Sequence, residues 1–446
     1  MNRRQFLSVL AAAPLATAAD PKPNVVLIVG DDLGYADLGA YGCKDIPTPN
    51  LDSIARNGVR FTDGYVSCPY CSPTRAGLMT GRYQTHFGHE FNPGPAEQAV
   101  ENFGLPLTET AMPKRMKDLG YKTGMFGKWH LGYKPAYHPQ QRGFDEFFGF
   151  LGGAHSYIDA EADPANPIFR STAKAAQIDY TTDQFAAEAA GFIDRNKGNP
   201  FFLYLPFNAV HTPLQALPKY EARFDGKITD PRRKTFAAML SAMDDGVGLI
   251  LKTLEKHKLT NKTLLVFHSD NGGPTAGNTS KNDPLRGFKA QVFEGGLRVP
   301  FMMQWPGTIP TGKTYSNPVI ALDILPTFVA AAGGAPAADW KVDGVNLLPF
   351  LTGKAKGVPH EQLFWRFGQQ WAMREGDWKL MSMGGPPSLY YLKSDIGETK
   401  DLSNAEKGRM ESMAAAWENW NKNNIPARWT PRQAPGQKKK KKKRKA

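Results

Sequence analysis

Asn24-Val25-Val26-Leu27-Ile28-Val29 runs directly into Gly30-Asp31-Asp32. Five apolar residues, four of them β-branched, fit a strand buried on both faces. Two carboxylates follow its carboxyl end. The same grammar recurs along the chain. Predicted strands at 123–126, 201–207 and 263–268 are followed by Lys128 and His130, by His211, and by Asp270-Asn271. Helical patterns lie between them at 108–119 (closed by Gly120), 182–195, 234–256 (interrupted at Gly246) and 325–332, with further strands at 300–304 and 318–322. Ser72-Pro73 reads as a helix start, a capping hydroxyl before proline at the first helical position, and Gly81 ends that helix. Strands alternating with helices predict an α/β fold with a large, mostly parallel sheet flanked by helices.

From about residue 345 the pattern changes. Short strands at 363–367, 371–374, 378–383 and 389–392 are separated by turns, and a helix at 406–421 follows. They predict a smaller C-terminal domain with a four-stranded antiparallel sheet and a helix. The expected division is a catalytic α/β domain at 22–344, an antiparallel subdomain at 345–425 and a disordered polybasic tail at 426–446.

The first nineteen residues read as an export signal. Arg3-Arg4 precede Gln5-Phe6-Leu7 and an apolar run, and Ala16-Thr17-Ala18 offers a cleavage site. The paired arginines resemble a twin-arginine signal, whose pathway exports folded proteins; an ordinary secretory signal is the alternative. The expected location is periplasmic or extracellular. No later stretch reaches the roughly 18–20 apolar residues of a membrane span. The net charge of +13 is unevenly placed, because residues 438–445 carry eight positive charges and leave +5 elsewhere. The body is thus only mildly basic, which argues against a nucleic-acid-binding fold. The lysine run reads as a solvated end or as a contact for a polyanion. Of three cysteines, Cys43 and Cys68 could pair after export or remain thiols.

In open α/β sheets, ligands gather outside the carboxyl ends of the strands. Four strand ends here bring three acids, an amide, two histidines and a lysine to one edge. Each alone has a plain structural reading: Asp, Asn and Gly favour turns. Their joint placement points to a site. Asp31, Asp32, Asp270 and Asn271 are hard oxygen donors, which suit Ca²⁺ or Mg²⁺ rather than zinc. Arg75, Lys128 and Lys289 are available to hold an anion beside them.

The run Cys71-Ser72-Pro73-Thr74-Arg75, closed by Gly81, resembles the sequence that sulfatase-maturing enzymes read. With Asp31-Asp32, Gly127-Lys128-Trp129-His130 and Asp270-Asn271 in order around it, the chain from about residue 22 to 421 resembles the sulfatase family, arylsulfatase type, of the alkaline-phosphatase-like superfamily. Thr74 and Tyr70 depart from the commonest pattern. The resemblance implies that Cys71 becomes Cα-formylglycine, whose hydrate is nucleophile and metal ligand. It implies one Ca²⁺ held by Asp31, Asp32, Cys71, Asp270 and Asn271. Arg75 and Lys128 would steady the hydrate, and His130 would take the proton that drives release of sulfate. His211 and Lys289 would contact the sulfate and help the leaving group depart. A Cys71→Ser side chain lacks the second oxygen that the collapse to an aldehyde needs.

The implied activity is hydrolysis of a sulfate ester, with a sulfated carbohydrate as the expected substrate and a maturing enzyme and export machinery as partners. A phosphomonoester or phosphonate-ester hydrolase of the same superfamily is the alternative, and a non-catalytic polyanion binder working through its lysine tail is a second rival. Substrate choice should lie in loops 84–106, 150–180 and 274–290. His86, His89, His138 and His155 read as surface or structural, with His155 and Tyr157 in a loop that could line the pocket.

Overall fold

The computed structural model describes residues 22–175 and 177–430; the export-signal and lysine-run readings lie outside them. The strands in chain order are β1 Asn24–Gly30, β2 Val59–Phe61, β3 Gly64–Tyr65, β4 Lys122–Lys128, β5 Glu146–Phe150, β6 Phe169–Arg170, β7 Ala173–Lys174, β8 Phe201–Pro206, β9 Thr263–Ser269, β10 Phe301–Gln304, β11 Lys313–Tyr315, β12 Val319–Ile320, β13 Gln362–Phe367, β14 Gln370–Glu375, β15 Trp378–Ser382 and β16 Ser388–Tyr391. Ten of them form one sheet in the order β11-β2-β10-β9-β1-β8-β4-β5-β6-β7. Its centre, β9-β1-β8-β4-β5, is parallel throughout.

β1 is buried along its whole length. Alternate side chains point to opposite faces, and both faces are covered. Val26 and Ile28 join Phe185 and Leu240 under the helices Thr181–Asn196 and Pro231–Lys256. Val25, Leu27 and Val29 join Leu78, Met116 and Phe328 under Cys71–Thr80, Met112–Asp118 and Ile324–Ala331. Among the described residues no helix is long and apolar enough to cross a membrane.

The four-stranded antiparallel sheet β13-β14-β15-β16 is present, with the helix Lys407–Asn421 on one face. Trp417 stacks on Trp371 at 4.5 Å between ring centroids, and Trp420 on Phe364 at 5.1 Å. The other face packs on the separate two-stranded sheet β3-β12 and the segment before β10, where Leu363 and Trp365 meet Tyr65, Ile320 and Leu297. Buried ion pairs cross the same seam, Lys379 to Glu294 at 2.9 Å and Arg374 to Asp63 at 2.6 Å, and within the subdomain Lys379 also meets Glu398 at 2.8 Å.

Several local readings need correction. Gly246 does not interrupt its helix, which is continuous over Pro231–Lys256. The glycine lies at a close crossing, where an added Cβ would stand 3.1 Å from both Ala186 Cβ and Phe207 Cζ. The strand expected at 318–322 is only the two residues of β12. Ser72 is no cap: Tyr70 holds that position without a side-chain bond, and Pro73 lies inside the first turn, where its missing N–H costs nothing. Residues 426–430 are not part of a free tail. Trp429 is buried and its indole N–H lies 3.0 Å from the carbonyls of both Phe91 and Asn92. All three cysteines are free.

The crossing at Gly246 is testable. Gly246→Leu overpacks it and is expected to destabilise the protein by roughly 1–3 kcal/mol, read as a lower urea midpoint. An unchanged or higher midpoint would show that the helices have room there.

Candidate active site

Strand register builds the site. Gly30 at the end of β1 pairs with Ser269 at the end of β9, so Asp31 and Asp270 leave the sheet side by side. The Asp270 N–H donates to the Gly30 carbonyl at 3.0 Å and the Asp31 N–H to Ala209 at 2.9 Å. β4 ends on Lys128, and its amine reaches across to Asp31 Oδ2 at 2.6 Å. Asp32 and His130 both turn in the left-handed region, each at φ +59°. Asp32 is fixed there by Asn278, whose side-chain N–H donates to its carbonyl at 3.1 Å.

Cys71 is the first residue of its helix and lies at the same edge, its Sγ 3.8 Å from Asp31 Oδ1. Arg75, one turn on, is fully buried and donates to Asp270 Oδ2 through Nε at 3.1 Å and Nη2 at 2.8 Å. Its Nη1 donates to the Lys128 carbonyl at 3.1 Å. Lys289 comes from the loop before β10 and bonds Asp32 at 2.7 Å. Asn271 Nδ2 donates to Asp32 Oδ1 at 2.8 Å, while Asn271 Oδ1 is buried with no hydrogen-bond partner. His211 Nε2 lies 3.5 Å from Asp32 Oδ2. Every residue singled out for the site is therefore at this edge.

Three buried acids face three cations. Burial is the largest influence on each acid. At Asp31 it prevails, with repulsion from Asp270 added, and the pKa rises. At Asp32 the Lys289 ammonium overcomes it, and at Asp270 the Arg75 guanidinium does, so both fall. Burial pushes the Cys71 thiol up to about 12, so the unmodified side chain is not a thiolate near neutral pH. Burial, and then Lys128, push His130 well below the ordinary histidine range, so its ring is neutral.

Ligand atoms of Asp31, Asp32, Cys71 and His211 lie within 4.8 Å of one another, a group able to hold one metal ion. The Asn271 amide bonds Asp32, and among the described residues its Oδ1 has no partner, so it offers that ion a further oxygen. His211 thus stands at the metal cluster as well as at the cavity. Asp270 is turned largely toward Arg75.

A cavity of about 330 Å³ opens over this edge, lined by Cys71, His130, His211 and Lys289 together with Tyr133 and Asn166. Sequence reasoning missed several supports. Ser72 donates its hydroxyl to the His130 carbonyl at 2.6 Å and contacts His89 Nε2 at 2.7 Å, so His89 is a buried buttress. Asn166 pins Gly152 and Ala154 at 2.8 and 3.1 Å, beneath the His130 ring; a Cβ on Gly153 would come within 2.6 Å of that ring. Gln370 on β14 brackets the turn after Lys289 through Ala290 and Val292. His155 and Tyr157 do not line the cavity. Tyr157 is buried, donating to the Asn208 and His211 carbonyls at 2.5 and 2.8 Å. None of these supports carries a local sequence signal, because each acts through tertiary contact.

A parallel sheet with paired acids and cations around a helix N-terminus at its carboxyl edge suits the binding of an anionic ester. The family profile described as Sulfatase matches residues 23–335, and that of N-sulphoglucosamine sulphohydrolase, C-terminal, matches 288–414. The N-acetylgalactosamine-6-sulfatase of Canis lupus familiaris is 34% identical over 78% of this chain and 70% of its own length. Arylsulfatase J of Mus musculus is 30% identical over 93% of this chain and 78% of its own. The solved structure of Ps i-CgsB in complex with k-i-k-neocarrahexaose is 39% identical, with a TM-score of 0.86 over 92% of this chain and 94% of that one. The chain belongs to the sulfatase family and is a hydrolase of sulfate esters.

Calcium is expected to raise the melting temperature of the purified protein, since a ligand bound only by the native state stabilises it by mass action. EDTA should reverse the rise. Asn271→Ala, which removes a neutral donor, should shrink the calcium-induced shift by at least half in differential scanning fluorimetry. An undiminished shift would show that the amide is not a ligand.

Proposed function

We propose that the protein hydrolyses sulfate esters of a carbohydrate outside the cytoplasm, with Cys71 converted to Cα-formylglycine and one Ca²⁺ held by Asp31, Asp32, Asp270 and Asn271 together with residue 71. The observation that carries this reading is the set of three acids and three cations closed around a cysteine that cannot ionise at neutral pH. Once converted, residue 71 would supply a hydrated aldehyde able to attack sulfur and later expel sulfate, and a calcium ion held there would supply charge that offsets repulsion between an anionic ester and its nucleophile.

The protein's own residues do the rest. Lys289 and His211 line the cavity and present positive charge and a proton donor to the sulfate and the departing alcohol. Lys128 and Arg75 hold Asp31 and Asp270 in place and keep positive charge near residue 71. His130, neutral and buried, takes the proton that frees sulfate. We assign the catalytic unit to residues 22–344, and the antiparallel subdomain at 345–425 to the support of the Lys289 loop. Conversion by a maturing enzyme in the cytoplasm followed by export through the twin-arginine route accounts for Arg3-Arg4. The carbohydrate class is supported by the N-acetylgalactosamine-6-sulfatase relative and by the oligosaccharide bound to Ps i-CgsB.

Sulfate release, read by ion chromatography, tests this on a panel of sulfated oligosaccharides, a steroid sulfate and a phosphate monoester. A sulfated oligosaccharide should be the best substrate. Faster cleavage of the phosphate ester would contradict the proposal. Cys71→Ser should lose about a thousandfold or more in turnover, the scale seen when a nucleophile is removed; full activity would refute the mechanism.

A further inference from the structure

Beside the catalytic cavity lies a second hollow of about 420 Å³. Tyr133 lines both, so the two meet at one aromatic side chain. The walls of the second hollow include His138, Leu151 and Phe169, and among the described residues no Asp, Glu, Lys or Arg lines it. Its rim, including Thr172, is exposed.

Gln141 and Thr172 give this hollow polar groups at its exposed rim, and His138 closes its wall. The His138 ring is 7% exposed and is set edge-on to Phe147 at 5.1 Å. Nδ1 accepts from the Gln140 N–H at 3.3 Å, which assigns the ring proton to Nε2 in the neutral form. Burial lowers the pKa, with the Ser171 backbone opposing, so the neutral form prevails. Nε2 is buried, and the ring also meets the Ser171 backbone, so His138 belongs to the wall. Aromatic faces, the amide of Gln141 and the hydroxyl of Thr172 at the rim, and no cation suit the apolar face of a sugar ring with its hydroxyls turned to the rim. They do not suit a second sulfate, which would find no counter-charge.

We propose that this hollow is a subsite for an uncharged sugar ring adjoining the sulfated one in the same glycan chain, with Tyr133 as the wall between them. It rests on the carbohydrate-sulfatase reading above. The enzyme would then select for sulfate flanked by an unsulfated neighbour.

The test compares 4-nitrophenyl sulfate with the panel oligosaccharide that the wild-type protein desulfates fastest. The ratio of kcat/KM for the oligosaccharide to that for the aryl ester reads the subsite. Phe169→Ala should lower this ratio about tenfold, the scale of a lost aromatic contact. Thr172→Trp fills the hollow from its rim and should lower the ratio similarly; it carries the test if Phe169→Ala does not fold. A ratio unmoved by the folded variants overturns the subsite and leaves sulfate hydrolysis standing. So does a change in oligomeric state on either substitution, which would assign the hollow to a second copy of the chain. A wild-type protein that releases sulfate from no oligosaccharide overturns the carbohydrate reading and the subsite with it.

Discussion

Three carboxylates and three cations are buried together at the carboxyl edge of the central strands, and neither set is tolerable without the other. Asp31 is held by Lys128, Asp270 by Arg75 and Asp32 by Lys289. Removing one partner from such a pair leaves an uncompensated charge at a cost of about 3–5 kcal/mol. The groups come from distant parts of the chain, so the sheet register holds them in one place. With charges balanced, a dication tips the edge positive, which favours an anionic ester. The arrangement required for chemistry is thus also a constraint on folding.

The walls of the cavity depend on segments far from the motif cysteine. The C-terminal sheet is joined to the β3-β12 pair and the segment before β10 by apolar contacts and by Lys379 and Arg374, and Gln370 then fixes the turn beside Lys289. Trp429 bonds the carbonyls of Phe91 and Asn92, and the Asn92 side chain accepts from the Ser72 N–H at 3.0 Å. Ser72 in turn holds the His130 carbonyl. A continuous set of contacts therefore runs from the last described residues to His130.

The parallel sheet was legible because its central strands are apolar on both faces and end in charge, as at Val25–Val29 before Asp31. The same pattern exposed Asp31, Asp32, Asp270, Asn271 and Lys128, since a strand's carboxyl end is a fixed address in this fold. Other features were illegible for physical reasons. Glu146–Phe150 holds three aromatics, but Gly149 in its middle disguises a strand whose glycine permits close approach to Gly127. Ser72 before proline looks like a cap, yet its hydroxyl is claimed by His130 across the site. Gly246 looks like a break, because a crossing helix leaves no mark in its own sequence. Tyr133, Asn92 and Asn166 enter the cavity from loops without periodicity.

Conversion of Cys71 is the central claim, and mass spectrometry of the tryptic peptide spanning residues 61–75 tests it most directly, using protein co-expressed with a maturing enzyme. The account predicts a mass with an aldehyde in place of the thiol. An intact thiol at Cys71 in protein that still releases sulfate would contradict it.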